Sequence, residues 1–159
     1  MFHLPIIPPK ATSQGAGKRM FIPKDKEGRM TGRPMFFKNK DAAGAEHDYL
    51  ILCAPHKPSV PMTGPLKLQV DFVFPWRKSE TKKRMKRGRC PNDNRPDCDN
   101  LGKMLCDVLT KLCFYKDDGQ VADLHITKAW GDNVGVYVQL APIDVSDSEM
   151  KSDSQSSLF

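Results

Sequence analysis

The sequence predicts an α/β (α+β) domain, helices packed on a small mixed β-sheet, and three stretches carry that prediction. Residues 66–74, LKLQVDFVF, alternate along a strand. Leu66, Leu68, Val70, Phe72 and Phe74 share one side, with Lys67, Gln69, Asp71 and Val73 on the other. Leu101, Leu105, Val108, Leu109 and Leu112 recur at steps of three and four, the stripe of an amphipathic helix of about three turns. Two more strands follow. Gln120 to Trp130 carries Ala122, Leu124 and Ile126 on one face, and Val134 to Leu140 aligns Val134, Val136, Val138 and Leu140.

The remaining elements follow in chain order. Met20-Phe21-Ile22 and Met35-Phe36-Phe37 are short apolar pieces that suit edge strands joined by the long loop KDKEGRMTGR. Residues 41–53, DAAGAEHDYLILC, predict a helix opening on Asp41 and ending before Pro55. A basic loop at 75–96 separates the alternating strand from the amphipathic helix, which starts near Asp99 or Asn100. Gly131-Asp132-Asn133 predict a hairpin turn between the last two strands. From residue 142, PIDVSDSEMKSDSQSSLF is poor in apolar residues and rich in Ser and acids, the composition of a disordered tail. The predicted domain is therefore 1–141, the tail 142–159, and no internal repeat is visible.

Bulk properties narrow the classes of function. A chain of 159 residues fits one domain with tails. Mean hydropathy is -0.52, and no apolar run approaches the roughly 20 residues of a membrane helix. MFHLPIIPPK has no positive region before its apolar patch, so no secretory leader is expected. Five cysteines without a C-x-x-C pair suit reduced thiols better than disulfides or a zinc ribbon. His3, His47, His56 and His125 are scattered and make no ligand cluster. The net charge of +6 favours a polyanionic partner. Residues 75–96 hold nine cations, Arg77, Lys78, Lys82, Lys83, Arg84, Lys86, Arg87, Arg89 and Arg95, against two acids. Such a block is ordinarily a solvated loop; beside a catalytic site it becomes a surface for a nucleic-acid backbone.

The acids lie just after that block, in RPDCDNLGKMLCDVLTKLCFYKDD. Asp97 and Asp99 flank one residue on an extended approach to the helix, so their side chains point the same way. One Asp there is ordinary capping, and that is the plain explanation of Asp99. Asp97 needs more, because two like charges this close repel unless a cation sits between them, as at a divalent metal site. Lys103, four residues after Asp99, either pairs with it or holds a phosphate. Asp117 and Asp118 suit a turn before the next strand. The lengths also let Asp118 reach back to Asp97 and Asp99: the helix is roughly 20 Å long, and six extended residues return about that far. Meeting those residues of a partner subunit is the other arrangement. Trp76 either stacks on an unpaired base or anchors the loop to the core, and anchoring is favoured.

The run from Asp97, DCDNLGKMLCDVL, followed by FYKDDGQV to Val121, closely resembles the RusA family of Holliday junction resolvases. That family's pattern is D-x-D-N-L-x-K with a D-x-L continuation, then an aromatic, D-D-x-Q-V and a strand ending in Lys, here Lys128. Pro8-Pro9 and the segment from Arg33-Pro34 to Phe37 agree more loosely. The resemblance implies a RusA-like dimeric fold and a magnesium-dependent endonuclease, with manganese as a substitute, that makes paired nicks in four-way DNA during recombination and repair. It carries metal and catalytic roles onto Asp97, Asp99 and Asp118, and a catalytic or phosphate role onto Lys103. A phage or prophage setting follows, with a cytoplasmic, nucleoid-associated location and no membrane partner. The basic loop is longer and more basic than the family leads one to expect, and the Ser-rich tail has no counterpart there.

The tail ends in QSSLF, which resembles the Q-x-x-L-F peptide by which bacterial DNA enzymes dock on the sliding clamp. Gln155, Leu158 and Phe159 would make that contact, the alternative being a chance match in a low-complexity end. For the whole chain, the alternatives to a nuclease are a non-catalytic DNA-binding protein, whose acids only cap and turn, and an RNA-binding module using residues 77–89.

Overall fold

The computed structural model describes residues 1–10, 18–33, 35–38 and 40–143, so QSSLF and the rest of the tail beyond 143 lie outside the described residues. Seven strands and three helices are described: β1 (Phe2–Leu4), β2 (Lys18–Phe21), β3 (Met35–Lys38), α1 (Lys40–Cys53), β4 (Leu66–Phe74), α2 (Lys82–Met85), β5 (Arg89–Pro91), α3 (Cys98–Lys111), β6 (Val121–Gly131) and β7 (Gly135–Pro142). Single 3-10 turns follow α1 at Ala54–His56 and precede β6 at Asp118–Gln120. The main sheet runs β1-β7-β4-β6-β5, with β4 and β6 parallel and the other pairs antiparallel. It is the small mixed sheet with helices that the sequence predicts. β2 and β3 pair with each other antiparallel, in a separate two-stranded sheet.

β4 sits at the centre because its alternation supplies a full apolar face: Leu66, Leu68, Val70, Phe72 and Phe74 are all buried. On that face lies α3. Leu101, Leu105, Val108 and Leu109 are fully buried, each contributing about 1.5–3 kcal/mol by leaving water. Gly102 is what lets α3 come so close, since a Cβ there would run into Ile126 of β6. α1 packs on α3 in turn, with Tyr49 and Cys53 buried and Lys111 paired with Glu46.

Three predicted features change. The hairpin at 131–133 does not form, because β6 and β7 are not neighbours; β4 lies between them. Strands stand about 4.8 Å apart. The link from Gly131 to Gly135 is long enough to step across the end of one strand, so a Gly-Asp-Asn reversal does not specify which strands bond. Ala122 and Leu124 are exposed, Leu124 at 48%. The register of β4 on β6 skips Ala122, and β5 flanks β6 only at Ala129–Gly131, leaving the first half of β6 as an open edge. Third, the basic stretch is not one loop: it contains α2 and β5.

Candidate metal and DNA site

α3 starts earlier than the sequence suggests. Asp97 is its N-cap residue, in extended conformation, and Asp99 lies inside the first helical turn. The two carboxylates thus leave the chain from a cap and a first turn, not from a common extended approach. Capping does not explain them. The Asp97 side chain makes no cap hydrogen bond, although that is the ordinary use of an Asp at this position. Asp99 and Lys103 form no ion pair despite their four-residue spacing. Asp97, Asp99 and Lys103 are all exposed.

Asp117 and Asp118 divide their work. Asp117 accepts the Gly119 amide at 2.7 Å and closes a capping box with Gln120, whose side-chain amide donates to Met62 O and Gly64 O at 3.2 and 3.1 Å. That carboxylate is spent on the turn. Asp118 is exposed, and its field is felt inside α3. Burial pushes the Cys106 thiol up, Asp118 and Asp107 push it further, and Lys103 opposes them. Cys106 lies about 10 Å of helix beyond Asp99. The 3-10 turn that Asp118 opens packs against α3 of the same chain. Among the described residues, no three His, Cys, Asp or Glu side chains gather as a metal cluster.

Two unbonded carboxylates still fit a hard divalent ion, because magnesium takes one or two carboxylates and fills its other positions with water and substrate phosphate. Asp97 and Asp99 would hold it. All five cysteines are free, and Cys106 is buried, which suits packing rather than chemistry.

The basic segment is built as an ordered arm around one acid. Trp76 anchors it, its indole N–H donating to Asp132 Oδ1 at 2.7 Å, on the exposed link after β6 and not in the core as favoured from the sequence. Glu80, whose side chain is only 3% exposed, holds Arg77 at 3.0 Å and Arg84 at 3.4 Å. The hydrogen bond from Arg77 keeps the Glu80 carboxyl below its usual range. Thr81 caps α2 through the Arg84 amide. The Arg77 guanidinium also covers the Trp130 ring at 5.5 Å. Arg89, on β5, makes a two-pronged pair with Asp71 of β4 at 2.5 and 2.6 Å. Of the nine predicted DNA-binding residues, Arg77, Arg84 and Arg89 are thus held by carboxylates, while Lys78, Lys82, Lys83, Lys86, Arg87 and Arg95 are exposed. The partners Glu80 and Asp71 were not singled out from the sequence, and only the fold brings Asp71 to Arg89.

The contacts of Lys128 also come from the fold. Its ammonium donates to Asn94 O and to Pro96 O, the latter at 2.7 Å, on the segment that delivers Asp97. The family resemblance marks Lys128 as a motif position without assigning it a role.

Comparison with known proteins gives the family. The family model described as endodeoxyribonuclease RusA matches residues 8–141. The uncharacterized protein YqaN of Bacillus subtilis (strain 168) is 31% identical over 98 residues, which cover 58% of this chain and 68% of that protein. The crossover junction endodeoxyribonuclease rusA of Lactococcus phage r1t is 34% identical over 79 residues, 50% of this chain. The match spans little more than half, 56%, of that phage protein. No helix among the described residues is long and apolar enough to cross a membrane. With the family model covering most of the chain and both halves of the acidic motif, this chain belongs to the RusA family of endodeoxyribonucleases.

Proposed function

We propose that this endodeoxyribonuclease resolves four-way DNA junctions by magnesium-dependent paired nicks, as a homodimer, in recombination and repair. The observation that carries the reading is the pair Asp97 and Asp99, two carboxylates at a helix start that neither cap nor pair, just after an arm of exposed cations in the chain. Unspent acids beside a cationic surface are what phosphodiester hydrolysis requires. A divalent ion held there supplies Lewis-acid charge at the scissile phosphate. Asp97 and Asp99 orient it, and Lys103, exposed and unpaired one turn along α3, lies where it meets the phosphate and the charge that develops on it. Lys78, Lys82, Lys83, Lys86, Arg87 and Arg95 hold the backbone, with a binding constant that falls steeply with salt.

Asp118 completes the set from a second copy of the chain. What supports this arrangement over one within a single chain is that no three carboxylates gather as a metal cluster among the described residues of one chain. The unit that does this is the domain of residues 1–141, whose last strand runs one residue further, to Pro142; the acidic, Ser-rich stretch beyond it is a separate segment on this reading, with Gln155, Leu158 and Phe159 as its clamp-docking residues. Deleting 155–159 abolishes clamp binding on this reading, and unchanged binding sinks it. The setting is the cytoplasm of a bacterial or phage-infected cell.

The test is cleavage of a labelled four-way junction, with linear duplex as control, in magnesium and in EDTA, by wild type and Asp99→Asn. Paired nicks that need magnesium and vanish in the variant are expected. Junction binding without cutting in any divalent ion makes the chain a DNA-binding protein instead. Mixing Asp99→Asn with Asp118→Asn chains tests the shared site: one intact site per mixed dimer restores single nicks, whereas sites built within one chain stay dead.

A further inference from the structure

We infer that Lys128 is a positioning residue for the Asp97–Asp99 pair; this rests on the metal-site reading above. Lys128 sits on β6, opposite Phe72 of β4, and is half-buried. Two of its three ammonium donors are used on carbonyls of one short segment, Asn94 O and Pro96 O. Its own main-chain carbonyl accepts the Asn92 amide at 3.1 Å. One residue of the sheet thus grips residues 92–96 at three points. The segment is closed from within as well. Asn92, 5% exposed, accepts the Asn94 amide on Oδ1 at 2.9 Å, and Pro96 is buried.

Asp97 is the next residue, and its carbonyl accepts the Leu101 amide of α3. Whatever fixes 94–96 therefore fixes the direction in which Asp97 and Asp99 leave the chain. A neutral donor could satisfy the same two carbonyls. A positive charge at a helix N-terminus works against the helix dipole, so the ammonium suits this place chiefly because two carboxylates stand beside it. Magnesium and manganese ask for tight ligand geometry, and supporting residues behind the ligands typically govern about 10–100-fold of metal affinity or activity. Lys128 differs in this from Lys103, which is exposed and has no partner to hold.

The experiment measures Mn2+ binding to DNA-free protein by calorimetry, and junction binding in EDTA, for wild type, Lys128→Met, Lys128→Arg and Asp99→Asn, well below each Tm. Lys128→Met is expected to weaken Mn2+ binding about 10–100-fold with junction binding kept, and Lys128→Arg to recover most of it. Mn2+ binding as in wild type overturns the inference. So does loss of junction binding in EDTA with Mn2+ binding intact, which makes Lys128 a DNA contact. Equal Mn2+ binding by wild type and Asp99→Asn is the distinct signature of a wrong metal site, and the inference falls with it. Should Lys128→Met not fold, Asn92→Ala opens the same segment without removing a charge: weaker Mn2+ binding supports the inference and unchanged binding overturns it.

Discussion

The arm around α2 and the start of α3 lie side by side in the sequence and use their acids in opposite ways. In and under the arm, Glu80 and Asp71 are spent on arginines, three guanidinium groups between them. At the start of α3, Asp97 and Asp99 make no such contact, although Lys103 is within helical reach. The arm is a structure made from charges, so its acids are internal fasteners. The helix start is an open pair of oxygen donors held by the backbone behind it. Net charge conceals this contrast, because carboxylates of the two kinds count alike.

The largest effect that separates the regions is expected from Asp97→Asn. Cutting of a four-way junction should fall by more than about 100-fold while gel-shift affinity stays or rises, since a negative charge is removed. Equal loss of both would make Asp97 part of the binding surface. Next comes Gly102→Ala. Its methyl meets the Cδ1 end of Ile126, so that side chain must repack at a cost of about 1–3 kcal/mol, less the roughly 1 kcal/mol that Ala gains over Gly in a helix, read as a Tm change of about 2–4 °C per kcal/mol. The arm, packed elsewhere, should keep its salt-dependent DNA binding in this variant at temperatures where it is folded.

A smaller effect belongs to the free cations. Lys82→Ala with Lys83→Ala should lower junction and duplex affinity together and reduce the slope of log K against log salt by about two, leaving the metal dependence of cutting unchanged. The smallest concerns Asp71. Burial pushes its carboxyl up, but hydrogen bonds from Arg89 and Thr127 more than offset this, so it is held below the usual range. A depressed carboxyl contributes stability that is full above the unfolded pKa, near 3.9, and is lost as pH falls through the folded value. Asp71→Asn should therefore cost about 1 kcal/mol or less at neutral pH, with the difference vanishing in acid; chemical denaturation across pH checks it.

Much of the fold is legible along the chain, because burial on one side imposes a period. The alternation of 66–74 and the stripe from Leu101 to Leu112 place β4 and α3; the residues the periods select are buried except Leu112, which is half-buried, while Val73, Met104 and Cys106 are buried outside the pattern. The acidic residues of the candidate site were legible as types and spacings. Their individual states were not. Asp99 reads as the capping residue and Asp117 as a turn residue; the structure puts Asp97 at the N-cap of α3 without a cap hydrogen bond, and it is Asp117 that caps. Strand order escaped as well: Gly131-Asp132-Asn133 encodes a reversal, and the tertiary packing put β4 inside it.

By itself the sequence determined which elements form, the apolar faces they bury and the carboxylates and cations available for chemistry, since period, spacing and residue type are local properties. The tertiary structure alone decided which of those charges are spent. It set Asp71 under Arg89 and Lys128 behind the Asp97 segment, while Asp97 and Asp99 kept their oxygens free. Such pairings join residues far apart in the chain, and a charge is neutralised by whatever the fold brings within about 3 Å of it.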